Sequence, residues 1–276
     1  LNYTDAQPIA GNILAPGSAD IVKSYRLDLE YKLANHTIRG GLDKSEVESI
    51  NAGEFKAGGG TWTYAKTDNP NAPQQGTGGA IPAPATGGGL GLQGYYVSKG
   101  LFSTVTSAFG IQDAIYLEDK WQVTPNVMLV GGLRRESFEN QNGDGKTFLE
   151  MKDQYNPRIA ASWDVNGDST MKVFGTAGRH SVPIPRHLTG RGACRSTFTD
   201  QYFAYSGTDA NGQPTGLVQL TAPQSGNNEF GQEKDIKTLS ALDMKPSYQD
   251  EVTVGFEKAW GPTLNFGAKA TYRKLQ

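Results

Sequence analysis

Six basic residues, Arg179, His180, Arg186, His187, Arg191 and Arg195, fall within seventeen positions of one another. Arginine offers a planar fork of donors that fits phosphate and carboxylate in bidentate fashion. The cluster is therefore a candidate grip for an anionic ligand. The competing reading is a solvated charged loop whose bases pair with nearby acids. Trp62, Tyr64, Tyr95 and Tyr96 add rings that can stack on a ligand.

Other chemistry is imitated rather than present. Residues 89–94 read GLGLQG and match the dinucleotide fingerprint in letters. They follow no strand and precede no helix, so the context that gives the motif meaning is missing, and a flexible loop is expected. Asn140, Asn142, Asp144 and Gly145 resemble the first half of a calcium loop. The bidentate acid that should follow is replaced by Met151, with Glu150 one place early. An ordinary hydrophilic loop is the better reading there, and turn chemistry accounts for Asp164, Asn166 and Asp168. No Gly-x-Ser-x-Gly elbow, catalytic pair of acids or metal-spaced histidine cluster occurs, so no cofactor, metal or enzymatic activity is expected. The lone Cys194 excludes an intrachain disulfide, and a net charge of -2 gives no support for nucleic-acid binding.

The elements that must carry these residues are strands. In residues 25–33 one face bears Tyr25, Leu27, Leu29, Tyr31 and Leu33, and the other bears Arg26, Asp28, Glu30 and Lys32. Such period-two alternation predicts a strand with one apolar and one polar face. Similar runs predict strands over 21–33 and 36–47, 111–122 and 127–138, 157–165 and 170–179, and 248–260 and 263–273. The hairpin junctions are Ala34-Asn35, residues 123–126, residues 166–169 and Gly261-Pro262. Between hairpins lie a long Gly-rich segment at 48–110, a medium loop at 139–156 and a long loop at 180–247. The Gly runs at 58–60, 78–79 and 87–89 read as flexible loop rather than core. Mean hydropathy is -0.50, and no stretch approaches the roughly 18 consecutive apolar residues of a spanning helix.

Strands with short turns at one end and long loops at the other predict an antiparallel outer-membrane β-barrel segment, with apolar residues toward lipid and charges toward the lumen. Trp121, Trp163 and Trp260 all fall near short turns, as an interfacial girdle requires. A soluble β-sandwich with tryptophan in its core is the alternative, and it explains the one-sided loops less well. Short turns belong in the periplasm, which places the long loops outside the cell. The arginine cluster then faces the outside, where it could meet a ligand or the phosphates of lipopolysaccharide. The four aromatics could stack on ligand or steady the outer girdle.

Arg26, Asp28, Glu30, Lys32, Arg134, Glu136, Glu257 and Lys269 should all share the lumen face, since a one-residue slip would put them in hydrocarbon. Asp119 and Lys258 are misfits on the outward face, close enough to turns to reach headgroups or water. Residues 1–4 show neither the basic start nor the apolar run of a secretory leader. The first predicted strand begins outside and the last one ends outside. Four hairpins cut from a larger barrel, as an open sheet with both edges paired elsewhere, are therefore expected.

Particular words of the sequence add a resemblance. YLEDKWQVTPN at 116–126 followed by GLRRE at 132–136, NPRIAASWD at 156–164 leading into KVFGTAGR at 172–179, and the hairpin with Glu251, GFE at 255–257 and ATYR at 270–273 resemble strand pairs of TonB-dependent outer-membrane receptors. Together they resemble the Oar-like branch of that family. The resemblance implies a barrel of about 22 strands around a plug. It also implies a Gram-negative outer membrane, a periplasmic TonB complex as energy source and an unknown extracellular ligand. Plug, TonB box and terminal aromatic strand are not in this sequence, which ends RKLQ. A structural or adhesive barrel and a soluble secreted β-protein remain the competing functions.

Overall fold

The structure, a computed structural model, describes residues 11–239 and 246–276. Residues 1–10, on which the leader reading rests, and residues 240–245 of the last long loop lie outside the described residues.

Eight long strands form one antiparallel sheet. They are β1 (Ala19–Leu33), β2 (His36–Ala52), β3 (Thr106–Thr124), β4 (Val127–Gln141), β5 (Thr147–Asp164), β6 (Met171–Val182), β7 (Ser247–Trp260) and β8 (Leu264–Leu275). Their spatial order is their chain order, and β1 and β8 occupy opposite edges. The sheet is open: β1 pairs with β2, and β8 pairs with β7. All four predicted hairpin turns are present. Leu33 faces His36 across Ala34-Asn35, and Trp260 faces Leu264 across the last turn. In the third turn Asp164 accepts the Gly167 and Ser169 amides at 3.1 and 2.8 Å. Asp168 accepts the Thr170 hydroxyl and amide, and these bonds hold its carboxyl below its ordinary pKa.

The strands reach further from the turns than alternation alone indicates. The expected medium loop at 139–156 is mostly strand, for β4 and β5 stay paired through Glu139 and Glu150, and only residues 142–146 turn. The polar residues that suggest a loop there decorate a ladder that continues beyond the apolar band. A transmembrane strand needs only roughly 9–11 residues, whereas β3 has 19.

The long loops also depart from expectation. Residues 53–105 and 183–239 fold together as a cap with its own sheet, in which Tyr95–Ser103 pairs with Thr61–Lys66 on one side and with Thr197–Ala204 on the other. Ile81, Val97, Ala204 and Tyr205 are buried at its centre. The GLGLQG stretch is a packed 3-10 helix, Gly89–Gln93, and not a flexible loop. A side chain at Gly91 would collide with the Pro84 carbonyl and crowd Ala204, so glycine here permits close packing.

Register decides which face each residue takes. Arg26, Asp43, Ala114 and Glu136 lie directly across from one another, as do Asp28, Gly41, Tyr116 and Arg134. Carried through β5 to β8, the same pairing places all eight expected charges on one face. Leu27, Leu29, Leu117, Leu133, Ile159 and Val254 are all exposed on the other. Helix α1 (Arg186–Ala193) packs on the charged face: Arg186 covers Gly110, and Asn140 donates to the Ile184 carbonyl at 3.1 Å. The charged face is thus the inner one.

Ala34 occupies the first turn at φ +53, a left-handed conformation that disfavours a Cβ. Ala34→Gly should relieve this and raise stability by up to about 1 kcal/mol, after the extra chain entropy of glycine. Heat-modifiable mobility of the folded barrel measures it. A lower unfolding midpoint would refute the strain.

Candidate ligand-binding surfaces

The inner wall carries a cross-strand polar network set by register. Asp28 on β1 accepts Arg26 Nε at 2.8 Å, Arg39 Nη2 of β2 at 3.1 Å and the Tyr116 hydroxyl of β3. Nearer the cap, Arg134 of β4 joins Glu136 at 2.6 Å and Asp43 of β2 at 3.1 Å. Glu136 in turn accepts Asn156 Nδ2 of β5 at 2.6 Å, and Asn156 bonds to Ser181 of β6. Glu136 and Asn156 are buried, so the upper wall is sealed by the chain that leads into α1. Buried ionic groups persist only when paired and hydrogen-bonded, and here they are.

The six clustered bases do not converge. Arg179 belongs to β6 and faces outward, bidentate to Asp250 at 2.8 and 3.1 Å with its guanidinium 3.7 Å from the centre of the Tyr248 ring. His180, one residue on, lies 3.3 Å from Arg158 Nη2. Arg186, His187 and Arg191 ride on α1, and Arg195 follows it. Arg191 meets Glu229 at 3.2 Å, and Arg195 meets Asp144 at 2.9 Å and Glu233 at 3.8 Å. Lys146 also reaches Glu233, and Lys234 lies 3.6 Å from Glu229. These ties fasten α1 to the 142–146 turn and to residues 229–234. Arg186 differs, because its stem covers Gly110 of the sheet and its Nη1 is buried with no partner among the described residues, as is the Thr189 hydroxyl one turn on.

The acids around residue 142 serve the turn. Asn142 is fully buried, accepts the Asp144 and Lys146 amides and donates to the Ala193 carbonyl at 3.1 Å. Glu150 pairs with Lys152 at 2.8 Å, away from Asp144 and its arginine. Cys194 is buried against the same turn, its sulfur 3.4 Å from the Gly143 amide.

The four aromatics sit on the cap sheet. Pairing puts Trp62, Tyr64 and Tyr95 on one face and Tyr96 on the other. Trp62 meets Phe203 edge-on at 5.9 Å, with Lys99 over its ring at 5.7 Å. Tyr64 meets Tyr205 edge-on and donates to the Gly212 carbonyl at 2.7 Å. Lys66 covers Tyr95 at 4.9 Å. Burial raises the pKa of Tyr96, which keeps it a neutral donor. Phe203 and Lys99 complete the aromatic face and are not evident in sequence, because only the pairing of two distant loops brings them there.

One apolar face, one charged face, short turns at one end and a folded cap at the other define a segment of an outer-membrane β-barrel wall. A family model described as TonB-dependent receptor-like, beta-barrel, matches residues 3–275, and the chain belongs to that family. It is 27% identical over 267 residues to the TonB-dependent transporter Oar of Myxococcus xanthus, a match that covers 88% of this chain and 24% of that protein. The chain therefore spans about a quarter of the length of that relative. The toluene transporter TodX of Pseudomonas putida overlays with a TM-score of 0.33 at 11% identity, over 93% of this chain and 56% of that one. The alcaligin outer-membrane receptor FauA of Bordetella pertussis gives 0.28 at 10% identity, over 93% and 46%. Overlays this loose carry no weight for fold or function.

Glu229 is the hinge of the ionic ties. Burial alone would raise its pKa, but the Ser196 hydroxyl and the charges of Arg191 and Lys234 outweigh it and hold the carboxyl below its ordinary value. A depressed carboxylate pKa contributes stability that is present above the unfolded value, about 4.3, and lost as pH falls through the folded one. Amide exchange of α1 and residues 229–234 should accordingly accelerate only in acid below about pH 4. Glu229→Ala should loosen the same segments at neutral pH, by about 1–3 kcal/mol. Unchanged protection in the variant would show that the ties contribute nothing.

Proposed function

We propose that the chain is part of the wall and outer cap of a TonB-dependent barrel that moves a large ligand across the outer membrane of a Gram-negative bacterium. The observation that carries this is the single inner face that holds all eight expected charges and receives the cap. Such a wall suits a polar path or a plug within a lipid-embedded shell. Its two free edges are paired by further strands of the same barrel. Energy comes from a periplasmic TonB complex acting through other portions of the parent.

The ligand meets the cap first. Arg191 and Arg195 are already neutralised by acids and Arg186 is tucked against the sheet, which leaves the exposed His187 as the anion-facing base, with Trp62, Tyr64 and Tyr95 as a stacking face. Lipopolysaccharide meets the outward side of the upper strands, where Arg135 and Arg179 project beside Asp153 and Asp250. A structural or adhesive barrel is the second reading, because the cap has a sheet and a buried core of its own, as a binding module does.

The two readings separate in spent culture medium. Mass spectrometry should find the same compounds undepleted when the gene is deleted and when TonB is deleted. Joint substitution of His187 and Trp62 by alanine should slow their depletion severalfold, with the protein still in the outer membrane. Identical media across strains, with loss of surface attachment instead, would replace transport by adhesion.

A further inference from the structure

Among the outward-facing residues within the apolar band, Asp119 breaks the pattern. It lies on β3 directly between Ile38 of β2 and Gly131 of β4. One carboxylate oxygen is 2.7 Å from His36 Nδ1, and His36 stacks on Trp121 with ring centres 5.3 Å apart and planes within 10°. The other oxygen, Oδ1, is buried and has no hydrogen-bond partner among the described residues. A carboxylate accepts several hydrogen bonds and is costly to leave unsatisfied at such a place.

Two apolar grooves meet at this acid. One, of about 860 Å³, runs along Leu29, Ile38, Gly40, Leu117 and Leu133. The other, of about 630 Å³, runs along Trp121, Leu129, Ile159, Ala177 and Val252. Asp119 and Gly131 line both. Both are open troughs on the outward wall, shaped for chains lying along it rather than for an enclosed ligand. The grooves exist because Gly40, Gly131, Ala161 and Ala177 stand on a face otherwise built of large apolar residues. Trp121, two residues nearer the turn, marks the periplasmic interface, so Asp119 sits just inside it, at the depth where a headgroup joins its chains.

We propose that this site retains one phospholipid of the inner leaflet, its acyl chains in the two grooves and a primary-amine headgroup on Asp119. The Asp119 side chain is 41% exposed although Oδ1 is buried, so Oδ2, beside His36, is the oxygen a headgroup meets. A primary ammonium brings N–H donors and a positive charge to it, whereas a quaternary ammonium has no N–H to donate. Small residues on the floor let the chains approach the backbone closely, as small residues do where helices pack in membranes.

The inference rests on the outward face meeting lipid, and the test separates that premise from the site. The protein is extracted from the outer membrane and reconstituted with equal amounts of a primary-amine and a choline phospholipid of the same chains. Native mass spectrometry then reads the bound lipid. Wild type should retain one lipid with a preference of about tenfold for the primary amine, the scale of one charge-assisted hydrogen bond. Asp119→Asn should keep a lipid but lose the preference. Gly131→Leu should lose the lipid, and it should fold, because a Cβ there meets no atom within 4 Å. A wild-type protein with no bound lipid, or with both lipids held alike, overturns the site. So does a preference that survives Asp119→Asn. If the variants fail to fold, the wild-type preference decides alone. A protein that does not fractionate with the outer membrane would instead remove the premise.

Discussion

In hydrocarbon no water competes for the backbone, so every amide and carbonyl must find its partner within the protein. This constraint organises the chain. It forces long, uninterrupted antiparallel ladders, and a ladder fixes register. Register then decides, residue by residue, which side chains meet lipid. The pairing of β1 with β2 runs from Ala19↔Ile50 to Leu33↔His36 without a slip, and the irregularities in β2 and β4 fall toward their ends, after Ser49 and after Glu136 on the cap side and at Val127–Met128 beside the short turn, where solvent returns. Because register is kept, Asp43 of β2 and Arg134 of β4 arrive on one face across the intervening β3. The inner network is a consequence of the ladder and needs no separate device to assemble it.

Above the apolar band the constraint relaxes, and different physics takes over. The cap is held by a small core around Val97 and Ile81, by pairing between two segments distant in sequence, and by ionic ties that converge on Glu229 and Glu233. Exposed ion pairs contribute little singly, on the order of 0–1 kcal/mol. Here several share acids, and Asn142 and Cys194 are buried beneath them. The cap therefore depends on the sheet for its footing, since the 142–146 turn that anchors α1 is itself the end of the β4–β5 hairpin.

These two regimes explain what was legible in the sequence. Lipid-facing strands must alternate, so Tyr25 to Leu33 and their counterparts could be read directly, with the open order and the inner charges. Beyond the membrane no such demand exists, and strands such as Glu139 to Gln141 carry polar residues on both sides and resemble loop. The cap was hidden for another reason. Its glycines, such as Gly91, are there for close packing, and composition alone cannot tell packing from flexibility. The basic cluster illustrates the same limit. Arg179 and His180 stand on opposite faces of one strand, whereas Arg191 and Arg195 find acids from segments some 38 to 51 residues away. Closeness in sequence said nothing about these partners.

The edges follow from the opening constraint. Along β1 and β8 one side of each backbone lacks a strand partner among the described residues, while Leu27, Leu29, Tyr31, Leu264 and Tyr272 are exposed beside it. Each unsatisfied amide or carbonyl in hydrocarbon costs several kcal/mol, so an edge of a dozen residues costs more than the roughly 5–15 kcal/mol that stabilises a typical domain. Water cannot take the place of a strand within the apolar band. Closing β1 on β8 would pair the edges, but it would crowd the cap, built from two long insertions that cover the inner face, into the narrow mouth of an eight-stranded barrel. The arrangement is coherent only as an arc of a wider wall, in which neighbouring strands continue the same alternation on either side.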